Sequence, residues 1–377
     1  MLNKSFSLVL IMAFLLLFSC ADKKVIEFER HYGSSETDYG TSVEQTPDGG
    51  YIICGSTKCS INQDKGYGYI IKTNSYGDTL WTKAYGGDGL DWLQSIVLSS
   101  DGYIFAGISS SFSNGRKIWI LETDRKGNIR KNKVYCPASD QLMGAGINKT
   151  SDGGYIVSGG YVSHYFPTMG VLLKLNAKLD SVWAKFYEGG TMGSACQISD
   201  SRYAFVGTRA KNGVPNYWLG ITDANGDTLW TRTYPSNGWA FSMEPTKDGG
   251  FIVGGTSQNL IDTKTSACLL KIDREGNKKW MEPYPANITE PNFSVTQTAD
   301  LGYAFTTLNF SNRDKTEELL FIKTDTAGVV LRNEIFGTPE SNERGTCVRQ
   351  TRDGGYIITG MTDQFDGNRD VYLVKTR

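Results

Sequence analysis

Two tryptophans, Trp92 and Trp239, each stand nine residues before an aspartate that opens a chain reversal. At the same distance before other such aspartates lie Tyr39 and Arg344, with Met143, Thr191 and Pro291 completing the set. The residue just before this position is Asp38, Asp91, Glu290 or Glu343 in four cases. Aromatic rings beside carboxylates suit a sugar or a peptide: rings cover apolar faces, and carboxylates accept hydroxyl or amide donors. The eight residues Asp38, Tyr39, Asp91, Trp92, Trp239, Glu290, Glu343 and Arg344 are therefore the candidate ligand contacts.

Other chemistry is poorly supplied. The only histidines are His31 and His164, so histidine-based acid–base work and histidine metal sites have little to build on. Seven cysteines show no CxxC spacing and no metal-ligand pattern. Cys54 and Cys59 are close enough for a local disulfide, but buried free thiols are the expected state. No cofactor and no metal are expected. Lysine plus arginine total 39 against 40 aspartates and glutamates, and no basic cluster argues for nucleic acid. A glycosidase needs two carboxylates at a set separation, and no acidic pair stands out in such a motif. A carbohydrate-active enzyme, hydrolase or lyase-like, with its site at the channel mouth, is the alternative to a binding module.

The elements that would position these residues follow from an internal repeat. PDGGYIICG (47–55) recurs as SDGYIFAG, SDGGYIVSG, DSRYAFVG, KDGGFIVGG, ADLGYAFTT and RDGGYIITG. Its aromatic falls at Tyr51, Tyr103, Tyr155, Tyr203, Phe251, Tyr303 and Tyr356, a spacing of 48 to 53 residues. A period near fifty with four strand signals per copy predicts propeller blades. Asp-Gly between alternating runs predicts the A–B hairpin turn, and this recurrence makes the turn aspartates structural rather than an acidic ring. Strand D ends on Tyr32, Tyr85, Tyr135, Tyr187, Tyr234, Tyr284 and Phe336. The first of these precedes the first DGG copy, and no strand D follows the last strand C. The expected fold is thus an all-β, seven-bladed propeller of four-stranded antiparallel blades, over residues 25–377, closed by the N-terminal strand Val25–Tyr32.

Six residues before each turn aspartate the residue is always small: Ser42, Ser95, Gly146, Ser194, Ser242, Ser294 and Cys347. Strand A is innermost, where blades converge and large side chains would clash. Trp81, Trp183, Trp230 and Trp280 share a strand D column, and Trp119 and Trp218 a strand C column, as blade packing. The A–B and C–D turns are short and lie on one face. The B–C and D–A connections, longer and more variable, lie on the other, where binding is expected. His164, with Tyr165 and Phe166, is in one of these loops.

Residues 1–19 combine a basic start, Lys4, with an apolar run too short to span a bilayer. Leu17-Phe18-Ser19-Cys20 resembles the lipobox of bacterial lipoproteins. The resemblance implies cleavage before Cys20, acylation of its thiol, as with palmitate, and a short tether over 20–24. Asp22 is the third mature residue, not the second, where it would imply inner-membrane retention, so an outer-membrane lipoprotein is expected, its leaflet left open.

TDANGDTLW (222–230) resembles the tryptophan-docking repeat of PQQ-type propellers, one residue shorter between Asp and Gly. Quinoprotein dehydrogenases of that superfamily use adjacent cysteines, which this chain lacks, whereas its non-enzymatic members include an outer-membrane lipoprotein scaffold. The DGGYI and KTDxxGxxxW pattern is also similar to exported Gram-negative propeller proteins, some labelled lectins or endoglucanases. The DxxGxxxW spacing differs from the sialidase Asp box. Asp78-Thr79-Leu80, Asp180-Ser181-Val182, Asp227-Thr228-Leu229 and Asp325-Thr326-Ala327 resemble an O-glycosylation acceptor of some Gram-negative bacteria, although C–D turn chemistry accounts for them. These features together predict a membrane-anchored, extracytoplasmic binding or scaffold propeller whose partner is a glycan, a peptide or a protein.

Overall fold

The computed structural model describes residues 25–377 except 61–64, 113–114, 136–141, 162–167, 199–200, 259–263, 285, 289–292, 312–315, 339 and 365–367. The leader, Cys20, His164 and Glu290 lie outside the described residues. Among the described residues twenty-eight strands, numbered in chain order, form seven four-stranded antiparallel sheets. Blade one is β2 (Tyr39–Gln45), β3 (Tyr51–Ser60), β4 (Lys65–Thr73) and β5 (Thr79–Tyr85), paired in that order. Blades two to six repeat this up-and-down order. Blade seven has β26 (Asn342–Gln350), β27 (Tyr356–Gln364) and β28 (Asn368–Thr376), and takes its outermost strand from the other end of the chain, β1 (Ile26–Tyr32). Ile26 pairs with Thr376 and Tyr32 with Val371. β1 is thus the closing strand that the count of strand D signals predicts.

Strands B and C are buried on both faces, because each blade packs between two others; this is why YIICGS and GYIIKT read as near-continuous apolar runs. The small column on strand A does more than avoid clashes. Backbone N–H groups of Ile147, Val295 and Val348 donate to Ser95, Ser242 and Ser294 Oγ of the preceding blade at 3.2–3.3 Å. Serine is thus both small enough for the axis and able to satisfy a backbone group there.

At the outer radius each blade docks on the next. The terminal tyrosine of strand D donates its hydroxyl to a carbonyl in the next blade's C–D turn: Tyr32 to Gly77, Tyr85 to Gly127, Tyr187 to Gly226, Tyr234 to Gly276 and Tyr284 to Gly328, at 2.6–2.8 Å, and Tyr135 to Leu179. Four residues earlier on strand D, Phe28, Trp81, Trp183, Trp230 and Trp280 lay a ring on the same turn. A Cβ added at Gly77, Gly127, Gly226, Gly276 or Gly328 would lie 2.5–3.1 Å from the ring or docking tyrosine atom nearest it. These glycines have φ between 75° and 86°, so both the backbone and the approaching ring select glycine.

Two junctions depart from this pattern, each consistently. In blade three the turn residue is Leu179 at φ 61°, fully buried in its own right. No slot remains for a ring, and the equivalent position of blade two is Lys131, which pairs with Glu122 of its own blade at 3.0 Å, while Lys133 donates to the Leu179 carbonyl at 3.2 Å. Between blades six and seven there is no C–D turn, because β28 and β1 are not joined there. The docking pair is accordingly Arg332 and Phe336: Arg332 lies over the rings of Phe321 and Tyr356, and Phe336 is buried with no hydroxyl to satisfy.

The Lys131–Leu179 junction gives a direct check. Lys131→Trp alone should destabilise by about 1–3 kcal/mol by overpacking, and Leu179→Gly alone by about 2–4 kcal/mol through the cavity it leaves. Combined, they recreate the slot and the ring, so the double variant should be more stable than the sum predicts by about 1–2 kcal/mol in a denaturant-unfolding cycle. Strict additivity would contradict the docking model.

Candidate functional site

The predicted ligand contacts other than Glu290 sit at the entry to strand A, on the face of the B–C and D–A loops, but they do not form one cluster. Tyr39 of blade one stacks on Trp92 of blade two, with ring centroids 5.6 Å apart and planes 25° from parallel. Arg369 of blade seven stands 5.6 Å from the Tyr39 ring centroid and donates to its hydroxyl at 2.9 Å. Tyr39 is buried and Trp92 half-buried, so this row of three side chains ties blades seven, one and two together across the closure. Trp239 is elsewhere on the ring, in blade five. Arg344 is buried and paired with Glu317 of blade six.

The carboxylates turn inward. Asp91 is fully buried and accepts from Gly87 N at 2.8 Å, from Ser111 Oγ at 2.5 Å and from Ser109. Asp38, also fully buried, accepts from Ser34 N at 2.6 Å. Glu343 accepts from Ser341 and from Thr362 Oγ1, and burial pushes its carboxyl above the ordinary range. Each carboxylate holds its own D–A loop in shape. The loop begins with an aromatic-glycine pair, Tyr32-Gly33, Tyr85-Gly86 or Phe336-Gly337, and the glycine leaves room for it: a Cβ at Gly86 would lie 2.1 Å from Asp91 Oδ2, and one at Gly337 1.9 Å from Glu343 Oε2. In this structure Asp38, Asp91, Glu343 and Arg344 face internal partners rather than the channel mouth, because a buried carboxylate must be hydrogen-bonded and the loop amides are nearest.

Trp239 is different. Its backbone is pinned to strand B of blade five, with its N–H on Thr256 Oγ1 at 3.2 Å and its carbonyl accepting from Thr256 N at 2.8 Å. Its side chain stands in solvent, 49% exposed, and it alone of the eight tryptophans is exposed.

Below the mouth runs an axial cavity of about 650 Å³. Hydroxyls at strand A bulges seal its wall between blades, with Thr41 Oγ1 on Leu93 O and Thr346 Oγ1 on Gly40 O, both at 2.8 Å. Further down is a polar belt that the sequence reading missed. It consists of the residues four before each turn aspartate: Glu44, Val97, Asn148, Cys196, Glu244, Thr296 and Arg349. Arg349 donates to Glu44 at 2.8 Å across the blade seven–one junction. Glu244 accepts from Thr296 Oγ1 at 3.0 Å and Gln297 N at 2.9 Å, and burial raises its carboxyl although Arg349 opposes this. The signal was present: no other strand A column mixes both charges with apolar residues.

No protein-family model matches the chain, and no characterised protein matches its sequence. Solved structures share the architecture. BBS1N in complex with ARL6DN is similar at a TM-score of 0.55 and 12% identity over 93% of this chain and 96% of that one. Sqt1 of Chaetomium thermophilum, bound to the N-terminus of ribosomal protein L10, is similar at 0.53 and 12% over 92% and 98%. The propeller domain of the Trilobed protease of Pyrococcus furiosus, which has an open velcro topology, is similar at 0.53 and 11% over 90% and 93%. The chain is a seven-bladed β-propeller. At such identities the likeness extends to the fold alone.

Among the described residues no three metal-ligating side chains come together. Among the described side chains, Cys54, Cys196, Cys268 and Cys347 are buried free thiols; the side chain of Cys59 lies outside the description. His31 packs edge-on against Tyr372 at 5.1 Å, and burial lowers its pKa. The turn aspartates have the structural role expected of them. In five blades a buried strand C lysine reaches the turn: Lys72, Lys174, Lys271, Lys323 and Lys375 pair with Asp48, Asp152, Asp248, Asp300 and Asp353 at 2.8–3.0 Å.

Burial alone would raise Asp248, but Lys271 and Thr246 bonded to it hold its carboxyl down at about 2. A free aspartate titrates near 4, so this contribution is complete above about pH 4 and is lost as pH falls toward 2. Asp248→Asn should melt below wild type at pH 6, with the gap closing between about pH 4 and pH 2. A gap that stays constant would show that the charge is not what holds the turn.

Proposed function

We propose that this chain is a lipid-anchored propeller of the cell envelope that binds a peptide, protein or glycan ligand on its loop face, with Trp239 as a principal contact. Trp239 carries the proposal. A backbone pinned to strand B presents a large ring, 49% exposed, to water on the face where loops vary. Exposed aromatics held in place lose little conformational freedom on binding and are frequent hot spots. Of the three ligand classes, a peptide or protein is favoured, because the mouth carboxylates are engaged in their own loops and are not free to accept sugar hydroxyls. Two neighbours of the same fold, Sqt1 and BBS1N, are themselves seen with protein partners. The anchor rests on Cys20 in Leu17-Phe18-Ser19-Cys20, and Asp22 as the third rather than the second mature residue supports an outer-membrane location.

The acylated full chain in detergent, screened on peptide and glycan arrays and then by titration, tests the ligand. Trp239→Ala should weaken capture by about 1–3 kcal/mol, roughly 5- to 150-fold in Kd. Its melting temperature should hardly move, since surface substitutions change stability by about 0.5 kcal/mol or less. Undiminished affinity in the variant would remove Trp239 from the site. Fatty-acid labelling of wild type against Cys20→Ser tests the anchor, with label expected in wild type only.

A further inference from the structure

The two faces of the ring are not equivalent with respect to the N terminus. Strand C runs from the loop face to the turn face, so Thr376 lies at the turn face, and Ile26, its partner, lies there too. Cys20 is six residues before Ile26, a reach of at most about 20 Å even if fully extended. The closing strand has seven residues and is about 23 Å tall. A lipid on Cys20 therefore cannot pass the blade and bring the loop face to a membrane.

The rim of the turn face carries a second, independent feature. In all seven blades the pairing of strands C and D skips one residue at the start of strand D. Lys72 pairs with Trp81 and Thr73 with Thr79, leaving Leu80 unpaired. The same shift leaves Val182, Leu229 and Leu331 unpaired in blades three, four and six. A bulge of this kind turns its extra residue out of the ladder. The fold makes no demand on residue type there, since the equivalent positions are Arg130, Lys279 and Glu27. Yet Leu80, Val182, Leu229 and Leu331 are 58%, 58%, 53% and 58% exposed. Edge strands ordinarily place charge at such positions to prevent association. Large aliphatic side chains in water, on one rim of a ring and at the end where the chain leaves toward its anchor, call for a partner.

We propose that the turn face is the membrane face: Leu80, Val182, Leu229 and Leu331 rest in the phospholipid surface that holds the Cys20 acyl chain, and the loop face with Trp239 points away from it. This rests on the lipid anchor proposed above. Shallow aliphatic contacts add to a single lipid anchor, which alone holds a protein only marginally. The arrangement leaves the variable loops free for a ligand.

Hydrogen exchange of the acylated full chain, compared between vesicles of phosphatidylethanolamine with phosphatidylglycerol and detergent-free nanodiscs lacking the acidic lipid, against a soluble Cys20→Ser chain, tests it. Amides of segments 76–82, 179–184, 226–231 and 328–333 should exchange about tenfold more slowly on either bilayer than in the soluble chain, while those around Trp239 stay unchanged. In the variant with Leu80, Val182, Leu229 and Leu331 all changed to Ser, this protection should vanish with melting unaltered. Equal exchange on and off the bilayer, or protection of the loop face instead, overturns the proposal. Mass analysis of the N-terminal peptide separates the two readings: an acylated Cys20 without turn-face protection sinks the orientation alone, and an unacylated Cys20 sinks both.

Discussion

Everything in this molecule depends on how one blade holds the next at the outer radius. A four-stranded blade cannot bury its two apolar faces alone. It needs a neighbour on each side at a fixed angle, and the strand D tyrosine and its aromatic partner set that angle against the neighbour's C–D turn. The turn carbonyl receives a hydroxyl, the turn glycine admits a ring, and the strand A serines repeat the bonding at the axis. The two exceptions follow the same logic. Where the turn keeps a leucine, the ring is replaced by Lys131. Where the turn does not exist, the hydroxyl is missing at Phe336 and the Arg332 guanidinium stands within 6 Å of two ring centroids. The sequence therefore varies in step with the geometry of each junction.

This explains where function is left room. The blade faces are consumed by packing, and the turn aspartates by their lysines. The D–A loop carboxylates are consumed by the loops they hold. Positions with no structural duty remain: Trp239, whose backbone is fixed but whose ring is not, and the bulged rim residues at the other end of the blades. They lie on opposite faces, one suited to a ligand and the other to a lipid surface, and β1 starts on the second.

The fold was legible because a propeller repeats itself. Seven DGG-type copies and seven strand D aromatics, offset by one blade, carry both the blade number and the closure. The site was less legible, for a physical reason. A column shows which residues occupy equivalent places on strand A, but not whether a side chain turns out to the mouth or back under its loop. Asp38, Asp91 and Glu343 look like ligand contacts beside Tyr39 and Trp92 until the glycines after Tyr32, Tyr85 and Phe336 are seen to open a pocket for them. Tyr39 and Trp92 lie in adjacent blades, so they met each other. Arg369, which completes their row, lies on strand C, outside the column altogether. The channel belt of Glu44, Glu244 and Arg349 was open to the same column reasoning, four residues before the turn, and its mixed charges were the sign.

The docking account makes opposite demands on one chemical change at different junctions, and thermal unfolding of two variants measures this directly. Tyr187→Phe should lose a buried hydrogen bond and destabilise by about 1 kcal/mol. Phe336→Tyr should also destabilise, by about 1–3 kcal/mol, because its hydroxyl would be buried with no turn carbonyl to receive it. A neutral or stabilising Phe336→Tyr would mean that the missing hydroxyl is unrelated to the missing turn, and that the blades are not held by this contact.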